Sequence, residues 1–256
     1  MIFAGIDVGS RTTCALLLQD GQVLSHGLIG TGADSEATSR RAMDIALAES
    51  GVTDREVKGI MATGYGRVLV PFADQIISEI SCHARGAHQL FPEARTVLDM
   101  GGQDCKAIRL DGDGNPLNFT MNDKCAAGTG RFLEVMAETL RLPLEEIGPL
   151  SLRSTEQIGI NSFCTVFAQS EVSLLLRQGK TKEDILAGLH RALCVRILSL
   201  LNKVGIEEEF VITGGIAKNV GVVRVIEEKL GIVARLPRES QIVGALGAAI
   251  LAEESR

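Results

Sequence analysis

The chain has 256 residues, with 26 lysines and arginines against 32 aspartates and glutamates, so its formal net charge is −6. Hydrophobic residues make up 45% and charged residues 23%, proportions typical of a soluble globular protein with a sizeable core. Aromatic residues amount to 4%, with no tryptophan and one tyrosine. An acidic chain with so few rings for base stacking is a poor candidate for nucleic-acid binding.

The sequence contains no apolar run approaching the ~18–20 residues that cross a bilayer. Its first residues, MIFAGIDVGS, carry no basic segment and reach Asp7 at once, so we expect no secretory signal. Six cysteines, at positions 14, 82, 105, 125, 164 and 194, form no CxxC or CxxxxC pair. We therefore expect a cytoplasmic protein without disulfides, zinc knuckles or a cluster bound by one chain alone.

Short apolar runs separated by glycine turns predict a chain of alternating strands and helices. Two apolar runs flank Asp20-Gly21 and predict a β-hairpin, because this dipeptide suits a tight turn. Further segments each carry the pattern of one element: helices over 35–50, most of 71–90 and 244–254, and strands over 57–64 and 209–215.

The opening pattern returns in the second half of the chain. IDVGSRTTCALLLQDG (6–21) matches LDMGGQDCKAIRLDGDG (98–114), with Asp7 and Asp99 at an offset of 92 residues. Coincidence between two hairpins is the alternative to internal duplication. Duplication predicts two similar α/β lobes, over 1–95 and 96–256, with the closing helix 244–254 packed back toward the first lobe.

Each repeated unit places an aspartate beside a glycine at a turn between two strands. Glycine lets the backbone approach a phosphate closely, and Ser10, Thr12 and Thr13 add hydroxyl donors. The carboxylates of Asp7 and Asp99 repel phosphate but suit Mg²⁺, bound through water. No GxxxxGK[ST] is present, and no GxGxxG opens a βαβ unit, so we predict a nucleotide cleft between the two lobes.

Three motifs resemble those of the actin/Hsp70/sugar-kinase superfamily: GIDVGS (5–10), LDMGGQD (98–104) and VITGGIAKN (211–219). Further motifs are similar to the ATP-dependent activators of 2-hydroxyacyl-CoA dehydratases, which are related to the ATPase subunits of benzoyl-CoA reductase. These motifs are YGR (65–67), SEISCHARGA (78–87), NDKCAAGTGRFLEVMA (122–137), CTVFAQSEV (164–172) and GGIAKN (214–219). The chain departs from that family at Cys14, where members usually have lysine, and at Arg11, where they have a small residue.

The resemblance implies two ribonuclease H-like lobes around an ATP/ADP and Mg²⁺ site. Asp7, Gln103 and Asp104 are the expected catalytic residues, the last two orienting the attacking water or the metal. Asp7 and Asp99 are expected to hold Mg²⁺. The residues expected at the nucleotide are Gly9, Ser10, Arg11, Thr12, Thr13, Cys14, Gly101, Gly102, Gly128, Gly214, Gly215, Ala217, Lys218, Asn219 and Gly244.

Cys125 and Cys164 each precede a segment with helical periodicity, a setting that favours a thiolate. The residues alone leave two readings open: a pair of cluster ligands or two structural cysteines. A [4Fe–4S] cluster needs four thiolates, which two copies of the chain would supply together. The resemblance implies this arrangement, a homodimer sharing one cluster. The other four cysteines are expected to be packing residues, and His83 a structural or supporting residue.

The function implied is ATP-driven transfer of one electron. The expected donor is ferredoxin or flavodoxin, and the expected acceptor is an iron–sulfur dehydratase, a benzoyl-CoA reductase or a double-cubane cluster protein. A sugar or carboxylate kinase of the same superfamily is the first alternative. A nucleotide-dependent regulatory module without catalysis is the second. Neither a membrane nor a nucleic acid is expected as a partner.

Overall fold

The structure is a computed structural model that describes residues 1–161 and 164–256. The first half forms a mixed sheet of order β3-β2-β1-β4-β5. Its strands are β1 (Ile2–Val8), β2 (Thr12–Gln19), β3 (Gln22–Gly30), β4 (Val57–Thr63) and β5 (Gln75–Ile76). Helix α1 (Ser35–Ser50) connects β3 to β4, and α2 (Glu79–Leu90) follows β5.

The second half forms a sheet of order β8-β7-β6-β9. Its strands are β6 (Thr96–Met100), β7 (Cys105–Leu110), β8 (Pro116–Asn122) and β9 (Phe210–Thr213). Between β8 and β9 lie α3 (Gly130–Leu140), α4 (Ile147–Ser151), α5 (Thr165–Arg177) and α6 (Lys182–Val204). The chain closes with α7 (Val220–Leu230) and α8 (Val243–Glu254). Within the described residues, none of the helices has both the length and the apolar character needed to cross a bilayer.

The two sheets share one topology, which confirms the predicted duplication. In the first, β1, β2 and β3 are antiparallel neighbours and β4 runs parallel to β1. In the second, β6, β7 and β8 repeat that order, and β9 runs parallel to β6. The register also repeats, because Asp7 pairs with Cys14 and Asp99 pairs with Lys106.

Local sequence signals explain the elements predicted around residues 20 and 35–51. Asp20 and Gly21 have φ values of 51° and 75°, the left-handed turn that matches the twist of the paired strands β2 and β3. Asp34 caps α1 by accepting a hydrogen bond from the Ala37 amide at 3.0 Å. Gly51, with φ 73°, ends the helix. Both predictions are confirmed.

The prediction that residues 71–90 are mostly helical is wrong for its first part. The helix starts only after Ser78, whose Oγ accepts a hydrogen bond from the Ser81 amide. Before it, β5 pairs with β4, and the Asp74 carboxylate accepts the Ile60 amide at 2.8 Å. Pairing with a strand distant in sequence thus overrides the local helical preference.

Helices α2 and α8 cross each other, and each packs on the sheet of the other half. α8 contacts β1, β2 and β4, whereas α2 contacts β6 to β9. The crossing depends on glycines: a Cβ at Gly247 would lie 1.8 Å from the Cys82 carbonyl oxygen, and a Cβ at Gly86 would lie 2.2 Å from that of Val243. Only hydrogen at these two positions permits such close backbone approach.

We expect Gly247→Ala to lower the free energy of unfolding by about 2 kcal/mol or more, because the added methyl group forces the helices apart. Chemical denaturation measures the change. Gly30→Ala is the matched control, since a Cβ there meets nothing within 4 Å, and we expect an effect within about 0.5 kcal/mol. Equal effects of the two substitutions would contradict this account of the crossing.

Candidate functional site

A cleft of about 760 Å³ is lined by residues from both halves of the chain. Most of the predicted site residues lie on its wall. These are Asp7, Gly9, Ser10, Arg11, Thr12, Cys14, Asp99, Gly101, Gly102, Gln103, Asp104, Gly214, Gly215, Lys218 and Asn219. The cleft therefore brings together the three segments that the sequence motifs indicated.

Four predicted nucleotide residues lie away from the cleft wall. Thr13 is buried behind it, with its hydroxyl 2.9 Å from that of Thr31. Ala217 is buried in the 3₁₀ turn after β9. Gly128, with φ 92°, lies in the loop before α3, and Gly244 lies behind Asp7.

The β1–β2 and β6–β7 turns have the same internal geometry. The Gly9 amide donates to the Thr12 carbonyl at 3.0 Å, and the Gly101 amide donates to the Asp104 carbonyl at 3.0 Å. The tips of the turns touch, because a Cβ at Gly102 would lie 2.2 Å from Cγ of Arg11. Two equivalent glycine turns thus face one another at one end of the cleft, an arrangement suited to phosphate groups.

Asp7 is a carboxylate without a side-chain hydrogen bond to any described residue. Two glycines make room for it, since a Cβ at Gly64 would lie 2.3 Å from its Oδ1 and a Cβ at Gly244 would lie 2.2 Å from its Oδ2. Burial raises the pKa of Asp7 to about 6. A half-buried carboxylate that lines the cleft and accepts no hydrogen bond from a described residue suits a hard cation, so Asp7 fits a Mg²⁺ ion bound directly or through water.

Asp99, its counterpart in the repeat, is already compensated. Lys106 Nζ donates to Asp99 Oδ2 at 3.3 Å, and His83 Nε2 lies 3.5 Å from the same oxygen. Burial raises the pKa of Asp99, but His83, Lys106 and the Thr213 hydroxyl outweigh burial and hold that pKa below its ordinary value. The two aspartates that look equivalent in sequence therefore differ in charge environment.

Lys106 also donates to Asp104 Oδ1, at 2.8 Å. Burial lowers the pKa of Lys106, but the attraction of Asp99 and Asp104 is stronger and raises it above its ordinary value. Sequence reasoning did not single out this lysine, although the repeat contains the signal. An offset of 92 residues aligns Lys106 with Cys14, which is one of the residues predicted to lie at the nucleotide.

The segment after β9 ends in a hydrogen-bond network centred on Asn219. Its Oδ1 accepts the Gly221 and Val222 amides at 3.0 and 3.1 Å, which caps α7. Its Nδ2 therefore donates to His190 Nε2 at 3.3 Å, and His190 Nδ1 donates to Ser151 Oγ at 3.0 Å. These contacts use Oδ1 and one of the two N–H groups of Nδ2, so the start of α7 holds the Asn219 side chain in place at the cleft wall.

Burial lowers the pKa of His190 to about 3, from ~6.5 in an unfolded chain. A depressed pKa contributes stability above pH 6.5 that is lost as the pH falls toward 3. Between neutral pH and pH 5 we expect His190 to account for about 2 kcal/mol of lost unfolding free energy. Denaturation of His190→Gln at both pH values should show a smaller loss, whereas His26→Gln, on β3, should keep the wild-type loss. An unchanged loss in His190→Gln would disprove the assignment.

The six cysteines fall into two groups. Cys125 and Cys164 are exposed, whereas Cys14, Cys82, Cys105 and Cys194 are buried. Burial raises the pKa of all four buried thiols, to about 12 for Cys82 and Cys194. Such thiols stay protonated and unreactive at neutral pH.

The two exposed cysteines have different local settings. Cys164 is the N-cap of α5, as predicted. Cys125 lies four residues before Thr129, the N-cap of α3, in a loop folded by Asn122, whose Nδ2 donates to the carbonyls of Cys125 and Ala127 at 2.9 Å. The predicted position at the start of a helix is therefore confirmed for Cys164 but wrong for Cys125.

The loop of Cys125 is mechanically tied to the cleft through α3. The amides of Gly130 and Arg131, in the first turn of α3, donate to the carbonyls of Gly101 and Gly102 at 2.9 and 2.8 Å. Arg11 Nε donates to Glu134 Oε1 at 2.7 Å, which connects the β1–β2 turn to the same helix. Among the described residues, no group of three or more histidine, cysteine, aspartate or glutamate side chains is placed to hold a metal ion.

A duplicated mixed sheet, with a glycine turn from each copy facing one cleft, defines the ATPase fold of actin, Hsp70 and the sugar kinases. A ROK family glucokinase from Streptomyces griseus, in complex with glucose and AMPPNP, shares this fold. The two chains are 14% identical, the TM-score is 0.61, and the match covers 99% of this chain and 100% of the glucokinase.

The chain belongs to the BadF/BadG/BcrA/BcrD ATPase family, whose model matches residues 4–252. The (R)-2-hydroxyglutaryl-CoA dehydratase activating ATPase of Acidaminococcus fermentans is 43% identical over 250 residues, which are 97% of this chain and 95% of that protein. The activator of the 2-hydroxyisocaproyl-CoA dehydratase from Clostridium difficile, solved with bound ADPNP, is 40% identical with a TM-score of 0.94. That match covers 100% of this chain and 95% of the activator. The protein is thus an ATPase.

Proposed function

We propose that this ATPase activates an iron–sulfur 2-hydroxyacyl-CoA dehydratase, or a related reductase, by ATP-driven delivery of one electron. The observation that carries the proposal is the pair of exposed cysteines, Cys125 and Cys164, one of them in a loop tied through α3 to the β6–β7 turn. The relatives that are named as dehydratase activators support the same role.

The cysteines fit half of a [4Fe–4S] ligand set. Two exposed thiols per chain become four in a two-fold symmetric homodimer, with Cys125 and Cys164 of each copy as ligands. When bound, the cluster accepts one electron and passes it on at low potential. The electron donor in this proposal is ferredoxin or flavodoxin, and the acceptor is the dehydratase, a benzoyl-CoA reductase or a double-cubane cluster protein.

The cleft would hold Mg²⁺ and ATP. The sequence motifs suggest which residues of the cleft would contact the metal, the attacking water and the adenosine. Asp7 and Asp99 are the proposed carboxylates for Mg²⁺, and Gln103 and Asp104 the groups that orient the attacking water. The segment Gly214–Asn219 would lie along the adenosine. We take residues 1–95 and 96–256 as the two lobes that close on the nucleotide.

In this proposal, the contacts of α3 couple hydrolysis to electron delivery. A shift of the Gly101–Gly102 turn moves the first turn of α3, because its amides donate to both carbonyls. Residues 123–129 then carry the shift to Cys125. The contact between Arg11 and Glu134 transmits movement of the β1–β2 turn to the same helix.

The energy scale explains why a nucleotide is required. Lowering a one-electron potential by about 300 mV demands roughly five decades of differential stabilisation, or about 7 kcal/mol. A nucleotide that binds two states of the protein with different affinities can supply free energy of that order. A small-molecule kinase has the same fold, but it would leave the exposed cysteine pair without a role.

Anaerobic purification tests the proposal. We expect a brown dimer with about four irons, which reduces a partner dehydratase in the presence of ATP and a reduced donor and stops with a non-hydrolysable analogue. A colourless protein that phosphorylates a sugar or carboxylate would contradict it. Delivery of electrons with the non-hydrolysable analogue would instead contradict the coupling to hydrolysis.

A further inference from the structure

In each of the two equivalent hairpins, the aspartate on the first strand is paired with one residue on the second strand. In the first hairpin that residue is Cys14, paired with Asp7, and in the second it is Lys106, paired with Asp99. Both Cys14 and Lys106 line the cleft. The two equivalent positions therefore face the same space, but only the second carries a charge.

Four cationic side chains line the cleft within the described part of the chain: Arg11, Arg67, Lys106 and Lys218. Three of them lie at its rim, with side-chain exposures of 48%, 33% and 49% for Arg11, Arg67 and Lys218. Lys106 is 4% exposed. Of these four cations, Lys106 is therefore the one buried in the wall of the cleft, beside the β6–β7 turn.

Among the described residues, the ammonium group of Lys106 has partners for two of its three N–H groups. These two N–H groups are directed at Asp99 and Asp104, with N–O distances of 3.3 and 2.8 Å. Asp7, Asp99 and Asp104 all line the cleft, and Lys106 contacts the last two of them. A polyphosphate brings further negative charge to the same cleft, and the third N–H of Lys106 is a charged donor available to it.

We propose that Lys106 binds the terminal phosphate of ATP and at the same time positions Asp104. The proposal rests on the ATPase activity of the family and not on electron transfer. In hydrolysis the water oxygen forms the new bond to phosphorus, and the bond to the ADP oxygen breaks with its electron pair leaving on ADP. The proton from water passes to phosphate or solvent. Lys106 keeps its protons throughout and acts by charge and direction.

Lys106→Met and Lys106→Arg test this role in the protein purified anaerobically. Affinities for ATP, ADP and AMP are measured with Mg²⁺, together with the rate of ATP hydrolysis and the visible spectrum. For Lys106→Met we expect ATP affinity to fall ~10–100-fold, because one charge-assisted hydrogen bond to the terminal phosphate is lost. AMP lacks that phosphate, so its affinity should fall by less than ~3-fold. Lys106→Arg should keep more of the preference for ATP. Lys180→Met, which removes a lysine paired with Glu156 at 2.6 Å, is the control and should bind all three nucleotides normally.

Equal weakening of ATP, ADP and AMP binding by Lys106→Met would assign the lysine a purely structural role and overturn the proposal. Unchanged binding would overturn it as well. Cys14→Lys provides an independent measurement if the methionine variant does not fold. A second ammonium at the equivalent position should tighten ATP several-fold and leave AMP unchanged. No tightening would overturn the proposal that an ammonium at this position of the repeat binds the terminal phosphate. The visible spectrum reports separately on the proposed cluster.

Discussion

Cys125→Ser or Cys164→Ser, each alone, is expected to abolish the [4Fe–4S] cluster and all electron delivery. The effect is large because the two-fold symmetry of the proposed homodimer doubles every substitution, so that one change removes two of the four ligands. Iron content after anaerobic purification should fall from about four per dimer to below about one. Nucleotide binding should persist, because neither cysteine lines the cleft.

Cys194→Ala is the matched control for these substitutions. Its thiol is buried in α6, where it lies 3.8 Å from the Val222 carbonyl, and burial raises its pKa to about 12. The control should retain iron, visible absorbance and ATP hydrolysis. A brown colour retained by either serine variant would refute the assignment of that cysteine as a ligand.

Asp7→Asn is expected to lower Mg²⁺-dependent ATP hydrolysis by ~10²-fold or more, because it removes the proposed carboxylate for the metal at the phosphates. Asparagine keeps the shape of the side chain, and the cluster spectrum should not change. Steady-state ATP hydrolysis measures the effect. Asp44→Asn, on the exposed face of α1, is the control and should hydrolyse ATP at the wild-type rate.

The same variant should be more stable than the wild type at neutral pH. The folded-state pKa of Asp7 is raised to about 6, so its contribution to stability is full below about pH 4 and is lost as the pH rises through 6. Removing the charge should therefore raise the unfolding free energy at pH 7 by about 1–2 kcal/mol. The gain should vanish near pH 4. Unchanged hydrolysis, or a loss of stability at pH 7, would contradict this account of Asp7.

Much of the fold could be predicted because its signals are local. Asp20-Gly21 determines a hairpin through two left-handed residues, and Gly51 ends α1 in the same conformation. Residues 71–77 could not be predicted, because β5 exists only through its pairing with β4. The packing of α2 on the opposite sheet depends on contacts such as Gly86 with Val243, which are distant in sequence.

The candidate site also has features that the local sequence predicts and features that depend on contacts distant in sequence. The glycine turns could be found from their spacing, since each turn is made within one short segment. The difference between Asp7 and Asp99 could not, because it arises from Lys106 on the neighbouring strand and His83 on α2. Cys125 had been expected to lie at a helix start, but the Asn122 loop separates it from α3.

The glycine crossing of α2 and α8 also makes each half of the chain depend on the other for its packing. Helix α2 of the first half covers the second sheet, and α8 of the second half covers the first sheet. A chain cut between residues 90 and 96 would therefore yield two fragments, each with an apolar sheet face exposed to water. Such fragments should be insoluble alone and recover only when mixed. In the intact chain, the close approaches at Gly86 and Gly247 bind the two helices, and with them the two sheets that they cover, into one packed unit.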